Sequence, residues 1–213
     1  DLVSSRGLGD VYKRQGTVMV KDINPGSDGI VSYTMSNNAR HGQYQKVIGD
    51  TLYFIADDGT HGRELWKSDG TAAGTVMVKD ISTDITSITD FTQIGDTLYF
   101  SGYTYPGTGW ELWQSDGTAA GTVIIRDANT PNWMRIEDLT AVGDTLYFDA
   151  NDGVHGNALY KSDGTASGIV MLKDINSMNT NFHEDDLDWF TAFDDTLYFA
   201  GEDGINGREL WKS

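Results

Sequence analysis

The sequence predicts an all-β chain, a propeller-type array of about four four-stranded antiparallel blades. Three observations carry that prediction: strings that recur in one order at one spacing, strand-forming composition inside each repeat, and Asp-Gly turns between the strands. Thr-Leu-Tyr-Phe stands at Thr51–Phe54, Thr97–Phe100, Thr145–Phe148 and Thr196–Phe199, at spacings of 46, 48 and 51 residues. Glu-Leu-Trp stands at Glu64–Trp66, Glu111–Trp113 and Glu209–Trp211, with Ala158-Leu159-Tyr160 in its place in the third repeat. Ser-Asp-Gly-Thr follows at Ser68–Thr71, Ser115–Thr118 and Ser162–Thr165. Gly-Thr-Val-Met-Val-Lys-Asp-Ile is found at Gly16–Ile23 and again at Gly74–Ile81, and in altered form at Gly121–Ala128 and Gly168–Ile175.

Taken in order, each unit begins with a weaker strand such as Phe91–Ile94, Leu139–Val142 or Phe190–Phe193. Thr-Leu-Tyr-Phe is the second strand, since it is β-branched and aromatic and lacks helix caps or a 3.6-residue period. Three consecutive large apolar or aromatic residues suit a sheet buried on both faces by its neighbours. The turns Asp57-Asp58-Gly59, Asn151-Asp152-Gly153 and Glu202-Asp203-Gly204 then lead into the Glu-Leu-Trp strand. A second turn at Asp-Gly-Thr, where glycine can take positive φ, precedes the Val-Met-Val strand. Four strands in about 47 residues match one propeller blade, and fit a β-solenoid or a two-sheet sandwich poorly. The units fall at 16–23 (one strand), about 44–81, 88–128 and 136–175, and a partial unit at 187–213.

Composition limits the function. The chain has 213 residues with 15 Lys+Arg against 32 Asp+Glu, a net charge of −17. A surface of that sign opposes nucleic-acid phosphates and anionic membranes. No apolar run approaches the roughly 20 residues of a membrane-spanning helix, so no membrane insertion is expected. Zero cysteines exclude disulfides, thiolate metal sites and a cysteine nucleophile.

With Glu64-Leu65-Trp66-Lys67-Ser68-Asp69-Gly70-Thr71 and Glu111-Leu112-Trp113-Gln114-Ser115-Asp116-Gly117-Thr118 in place, the chain resembles the ELWxxDGT repeat proteins over about Gly16 to Ser213. The resemblance implies propeller-type blades of a large secreted or cell-surface bacterial protein and is nearly silent on activity. The third repeat departs from the motif at Ala158 and Tyr160, so whatever the glutamate does is missing there.

Residues 1–15 match nothing in the repeat and hold three of the 15 Lys+Arg residues. They lack the apolar stretch of a secretory signal, resemble translated sequencing-adapter read-through, and are expected to carry no biology. The far end stops at Glu209-Leu210-Trp211-Lys212-Ser213, inside the expected turn, and reads as an internal piece of a longer reading frame. One last-type strand, three full units and three strands of a fourth leave three arrangements open. Four blades could close alone, two chains could share an eight-bladed ring as a homodimer, or the chain could be an open arc with further blades elsewhere in its parent.

Candidate sites are few. Asp57, Asp58, Asp152 and Asp203 lie in oxygen-rich loops at equivalent positions, and calcium takes about six to eight such ligands. None of these loops has alternating Asp-x-Asp-x-Asp-Gly spacing, and the second repeat has Tyr105-Pro106-Gly107 there, so turn formation is the preferred reading. No cofactor is required. Glu184-Asp185-Asp186 with Asp188 reads as a solvated acidic loop. Asp69, Asp80 and Asp174 recur and read as scaffold, bonding turn amides or pairing with Lys79 or Lys173. His61 and His155 share a position with Thr108 and Asn206 and read as turn-lining; His41 and His183 are lone. No nucleophile elbow, His-Glu-x-x-His or phosphate loop is present. Trp110, Trp133 and Trp189 break the repeat and are candidates for stacking on a sugar, against rim packing.

The leading expectation is a non-enzymatic structural or interaction module with an unidentified protein or glycan partner. A lectin-like propeller helped by calcium is the alternative. A propeller glycoside hydrolase, with Glu184 or Asp185 as the first acids to change, is the third.

Overall fold

The structure is a computed structural model and describes residues 17–30, 44–81, 85–104, 109–126, 135–152, 154–176 and 187–213. Its strands form four antiparallel sheets, each running in chain order. Sheet one holds β1 (Gln45–Ile48), β2 (Thr51–Asp57), β3 (Arg63–Ser68) and β4 (Val76–Lys79); sheet two holds β5 (Ile85–Ile94), β6 (Thr97–Thr104), β7 (Gly109–Ser115) and β8 (Val123–Arg126). Sheet three holds β9 (Arg135–Val142), β10 (Thr145–Asn151), β11 (Asn157–Ser162) and β12 (Val170–Lys173). Sheet four has three strands, β13 (Leu187–Phe193), β14 (Thr196–Glu202) and β15 (Arg208–Lys212). Among the described residues the one helical turn is a 3₁₀ turn at Ala166–Gly168.

The sheets stack face on face in series because each Thr-Leu-Tyr-Phe strand sends side chains to both faces. In sheet two, Leu98 and Phe100 pack with Tyr53, Ile55 and Leu65 of sheet one. Tyr99 and Leu112 on the opposite face pack with Leu139, Leu146 and Phe148 of sheet three. Leu159 and Val142 of sheet three then meet Leu187, Leu197 and Phe199 of sheet four. Within a sheet the second-strand phenylalanine stacks on the aromatic of the motif strand. Ring centroids are 6.0 Å apart for Phe100–Trp113, 5.8 Å for Phe148–Tyr160 and 6.5 Å for Phe199–Trp211. Tyr160 therefore serves where the others have tryptophan.

Two elements differ from expectation. The second unit starts earlier than residue 88, with β5 beginning at Ile85. Thr17–Asp22, the described part of the expected strand at 16–23, carries no ladder. A strand needs a partner as well as propensity, and no Glu-Leu-Trp strand lies paired beside this one. The segment instead covers sheet one, where Ile23 packs on Phe54, Ala56 and Trp66, and a bridge joins Ile30 to Ala56.

Candidate functional site

The motif residues are consumed by the fold. Asp69 Oδ1 accepts hydrogen bonds from Thr71 N at 2.9 Å and Thr71 Oγ1 at 2.7 Å, and Thr71 Oγ1 accepts one from Gly74 N at 2.9 Å. Ser68 and Thr75 hydroxyls close the turn at 2.7 Å. The second repeat reproduces these bonds with Asp116, Thr118, Gly121, Ser115 and Thr122. In the third repeat Ile169 stands where Thr75 and Thr122 stand, so Ser162 turns to the Thr165 carbonyl at 3.4 Å. Gly74 must be glycine, because a Cβ there would collide with the Asp69 carboxylate. The same turns receive the neighbouring sheet: Lys67 Nζ donates to Gly117 O at 2.8 Å and Lys79 Nζ to Thr122 O at 2.7 Å. Lys79 thus bonds the next sheet. The motif glutamate is also structural, since Glu64 is buried and its Oε2 accepts the Ile81 N–H at 2.9 Å.

The loop carboxylates bond their own loops. Asp57 Oδ1 accepts from Gly59 N at 2.7 Å. Asp58 Oδ1 accepts from Thr60 N and His61 N, both at 2.9 Å, and its Oδ2 lies 2.7 Å from His61 Nδ1. Asp152 repeats this with Val154 N, His155 N and His155 Nδ1, and Asp203 with Ile205 N, Asn206 N and Asn206 Nδ2. The backbone N–H and then the ring of His61 hold Asp58 down at about 2, and Asp58 in turn raises His61. Partial burial pushes Asp152 upward, but the His155 amide and ring outweigh it and leave the carboxyl at about 2, with His155 raised. The loops lie apart, and among the described residues no group of three or more His, Cys, Asp or Glu could hold a metal ion.

The first strands of the four sheets line a common cavity of about 530 Å³, bordered by Lys46 of β1, Asp90 of β5, Asp138 of β9 and Trp189 of β13. Asp90, Asp138 and Trp189 occupy one repeat position and share a left-handed backbone, with φ of 60°, 55° and 59°. Each sits where the first strand slips register against the second, a β-bulge that re-aims its side chains. Asp90 is buried, and its Oδ2 accepts from Thr89 Oγ1 at 2.9 Å and Ser101 Oγ at 3.4 Å. Burial pushes its carboxyl up to about 7, against those hydrogen bonds and with help from Asp138 and Glu137. Sequence reading missed Asp90 and Asp138. Their signal was an aspartate seven residues ahead of Thr-Leu-Tyr-Phe in two repeats, aligned with Trp189 in a third.

The two tryptophan candidates among the described residues, Trp110 and Trp189, are not gathered into one site. Trp110 packs on the core between sheets two and three, with its ring centroid 5.8 Å from that of Tyr103. Trp189 is 60% exposed and lines both this cavity and a groove of about 490 Å³ along β13, β14 and β15. That groove also holds Tyr198, Arg208, Glu209 and Leu210. Trp133, Glu184, Asp185, Asp186, His41, His183, Thr108, the segment 105–107 and residues 1–15 lie outside the described residues.

Fold and site together define an all-β protein of serially packed antiparallel sheets whose motif acids hold turns. Among the described residues no helix is long and apolar enough to cross a membrane. Set against protein-family models and curated proteins, the chain matches none.

Proposed function

We propose that the chain is a non-enzymatic structural or protein-interaction module, a propeller-type array of repeats from a secreted or cell-surface bacterial protein. One observation carries the interaction reading: the motif leucine is 0% exposed at Leu65 and Leu112 and 2% at Leu159, but 77% exposed at Leu210. Among the described residues nothing covers the sheet-four face that holds Trp189 and Leu210, and this apolar surface is suited to contact with a further repeat of a parent protein or with a partner. The cavity shared by the first strands of all four sheets supports the propeller arrangement. The acidic charge suits a secreted scaffold.

A second reading, a glycan-binding module, draws on Trp189, an exposed indole beside Arg208 and Glu209. Its calcium-assisted form would recruit Asp57, Asp58, Asp152 or Asp203 away from their turns. A glycan array with and without chelator, run beside a panel of chromogenic glycosides, tests the choice. The interaction reading expects neither retained sugar nor turnover. Retention lost on Trp189→Ala, or turnover lost on Glu184→Gln or Asp185→Asn, would overturn it.

A further inference from the structure

Repetition brings two sets of side chains to the cavity of about 530 Å³. Asp90, Asp138 and Trp189 each stand seven residues ahead of Thr-Leu-Tyr-Phe, and Lys46, Thr92, Thr140 and Thr191 each stand five residues ahead. All seven line the cavity. The first repeat has Tyr44 at the seven-residue place, packed on the core between sheets one and two. One set therefore offers two carboxylates and an indole, and the other an ammonium and three hydroxyls.

The first set suits a cation. Asp90 is 7% exposed, and its hydrogen bonds from Thr89 Oγ1 and Ser101 Oγ both end on Oδ2. Among the described residues Oδ1 is thus the oxygen left for the cavity that Asp90 lines. Burial and the nearby Asp138 and Glu137 charges oppose ionisation of Asp90, and a positive charge placed on these acids removes that opposition. Trp189 presents an exposed indole to the same cavity, and an indole face attracts cations. Its left-handed φ of 59° is costly for so bulky a residue, and such strain gathers where a site is held in place.

The chemistry narrows the cation. A metal ion asks for more ligands, and among the described residues no group of three or more His, Cys, Asp or Glu could hold one. An ammonium needs only oxygens for its N–H groups and an apolar wall for its carbons, and Trp189, Leu139 and Phe190 form that wall. We propose that the cavity binds the protonated primary amine of a small organic molecule, its ammonium on Asp90 and Asp138 and its adjoining carbons against Trp189. Lys46, the cation of the lining, opposes a second positive charge, so the ligand carries one ammonium.

Titration calorimetry of the full chain with benzylamine, beside benzyl alcohol as its uncharged counterpart, tests the assignment. At pH 8 benzylamine should bind at least about tenfold more tightly than the alcohol, the worth of a charge-assisted hydrogen bond. Its affinity should fall about tenfold between pH 8 and pH 6, because protonation of Asp90 near 7 removes the charge it binds. Asp90→Asn keeps an oxygen for the Thr89 and Ser101 hydroxyls, so it retains the fold, and should weaken benzylamine at least about tenfold. Trp189→Ala should weaken it about fivefold. Asp96→Asn removes the same charge from an exposed turn outside the cavity and should leave affinity unchanged. No heat from benzylamine, or equal affinity for the alcohol, would overturn the proposal. So would binding that survives Asp90→Asn, or a loss as large in Asp96→Asn, which would mark general attraction to an acidic chain.

Discussion

Asp90→Asn should stabilise the protein above neutral pH. The Asp90 carboxyl is raised from 3.8 to about 7 by burial first, with Asp138 and Glu137 adding to it. A carboxyl whose folded pKa is raised makes the folded state bind more protons than the unfolded one between those values. The contribution of Asp90 to stability is therefore greatest below about pH 4, falls as pH rises, and levels off above about pH 7. At about 1.4 kcal/mol per pKa unit, the ionised Asp90 costs about 4 kcal/mol at pH 8. For a chain of this size that is a shift of roughly 10 °C in melting temperature. Asparagine tolerates the left-handed φ of 60°, and its carbonyl oxygen still accepts from the Thr89 and Ser101 hydroxyls. Thermal and urea denaturation of both proteins at pH 5 and pH 8 measure the effect, the variant gaining about 4 kcal/mol at pH 8 and only about 1.6 kcal/mol at pH 5. A variant that melts below the parent at pH 8, or a gain equal at both values, would refute the reasoning.

Other outcomes follow from the same geometry. Gly74→Ala drives a methyl into the Asp69 carboxylate, and should cost about 1–3 kcal/mol in urea unfolding by overpacking; a neutral result would mean that the turn has slack. Leu65→Ala should cost about 2–5 kcal/mol by emptying a filled core position, whereas Leu210→Ala should cost under about 0.5 kcal/mol in dilute protein and weaken self-association instead. His61 and His155 should titrate above the usual 6.5 by NMR. Their pairing contributes stability that is complete below 6.5 and lost as pH rises through the raised values. Asp58 and Asp152, held at about 2, contribute stability that is present above about pH 4 and lost as pH falls towards 2. Asp58→Asn should return His61 to its ordinary value, and an unmoved titration would contradict the pairing.

Much of the fold is legible in residues that satisfy several constraints at once. Leu98-Tyr99-Phe100 could be read as a strand buried on both faces because three consecutive large residues leave no wet face, and all three are buried. Asp69-Gly70-Thr71 could be read as a turn because aspartate, glycine and threonine each supply something a turn requires. The bulges at Asp90, Asp138 and Trp189 were not legible, since one inserted residue within a weak strand hardly disturbs a repeat of 46 to 51 residues. The ladder-free course of Thr17–Asp22 was hidden for a related reason. Its sequence is that of a strand, and pairing depends on which edge lies beside it. Site candidates chosen for chemistry were dispersed because Asp58, Asp152 and Asp203 are equivalent by repetition, and repeats place equivalent residues on different sheets.

The most direct measurement is the solution mass of the full chain by light scattering over a concentration series at low and moderate salt. An apolar sheet-four face available for contacts predicts a species larger than one chain. Its share grows with concentration and with salt, and it reverts to one chain on Leu210→Asp. A single-chain mass at every concentration and salt, unchanged by Leu210→Asp, would contradict the account.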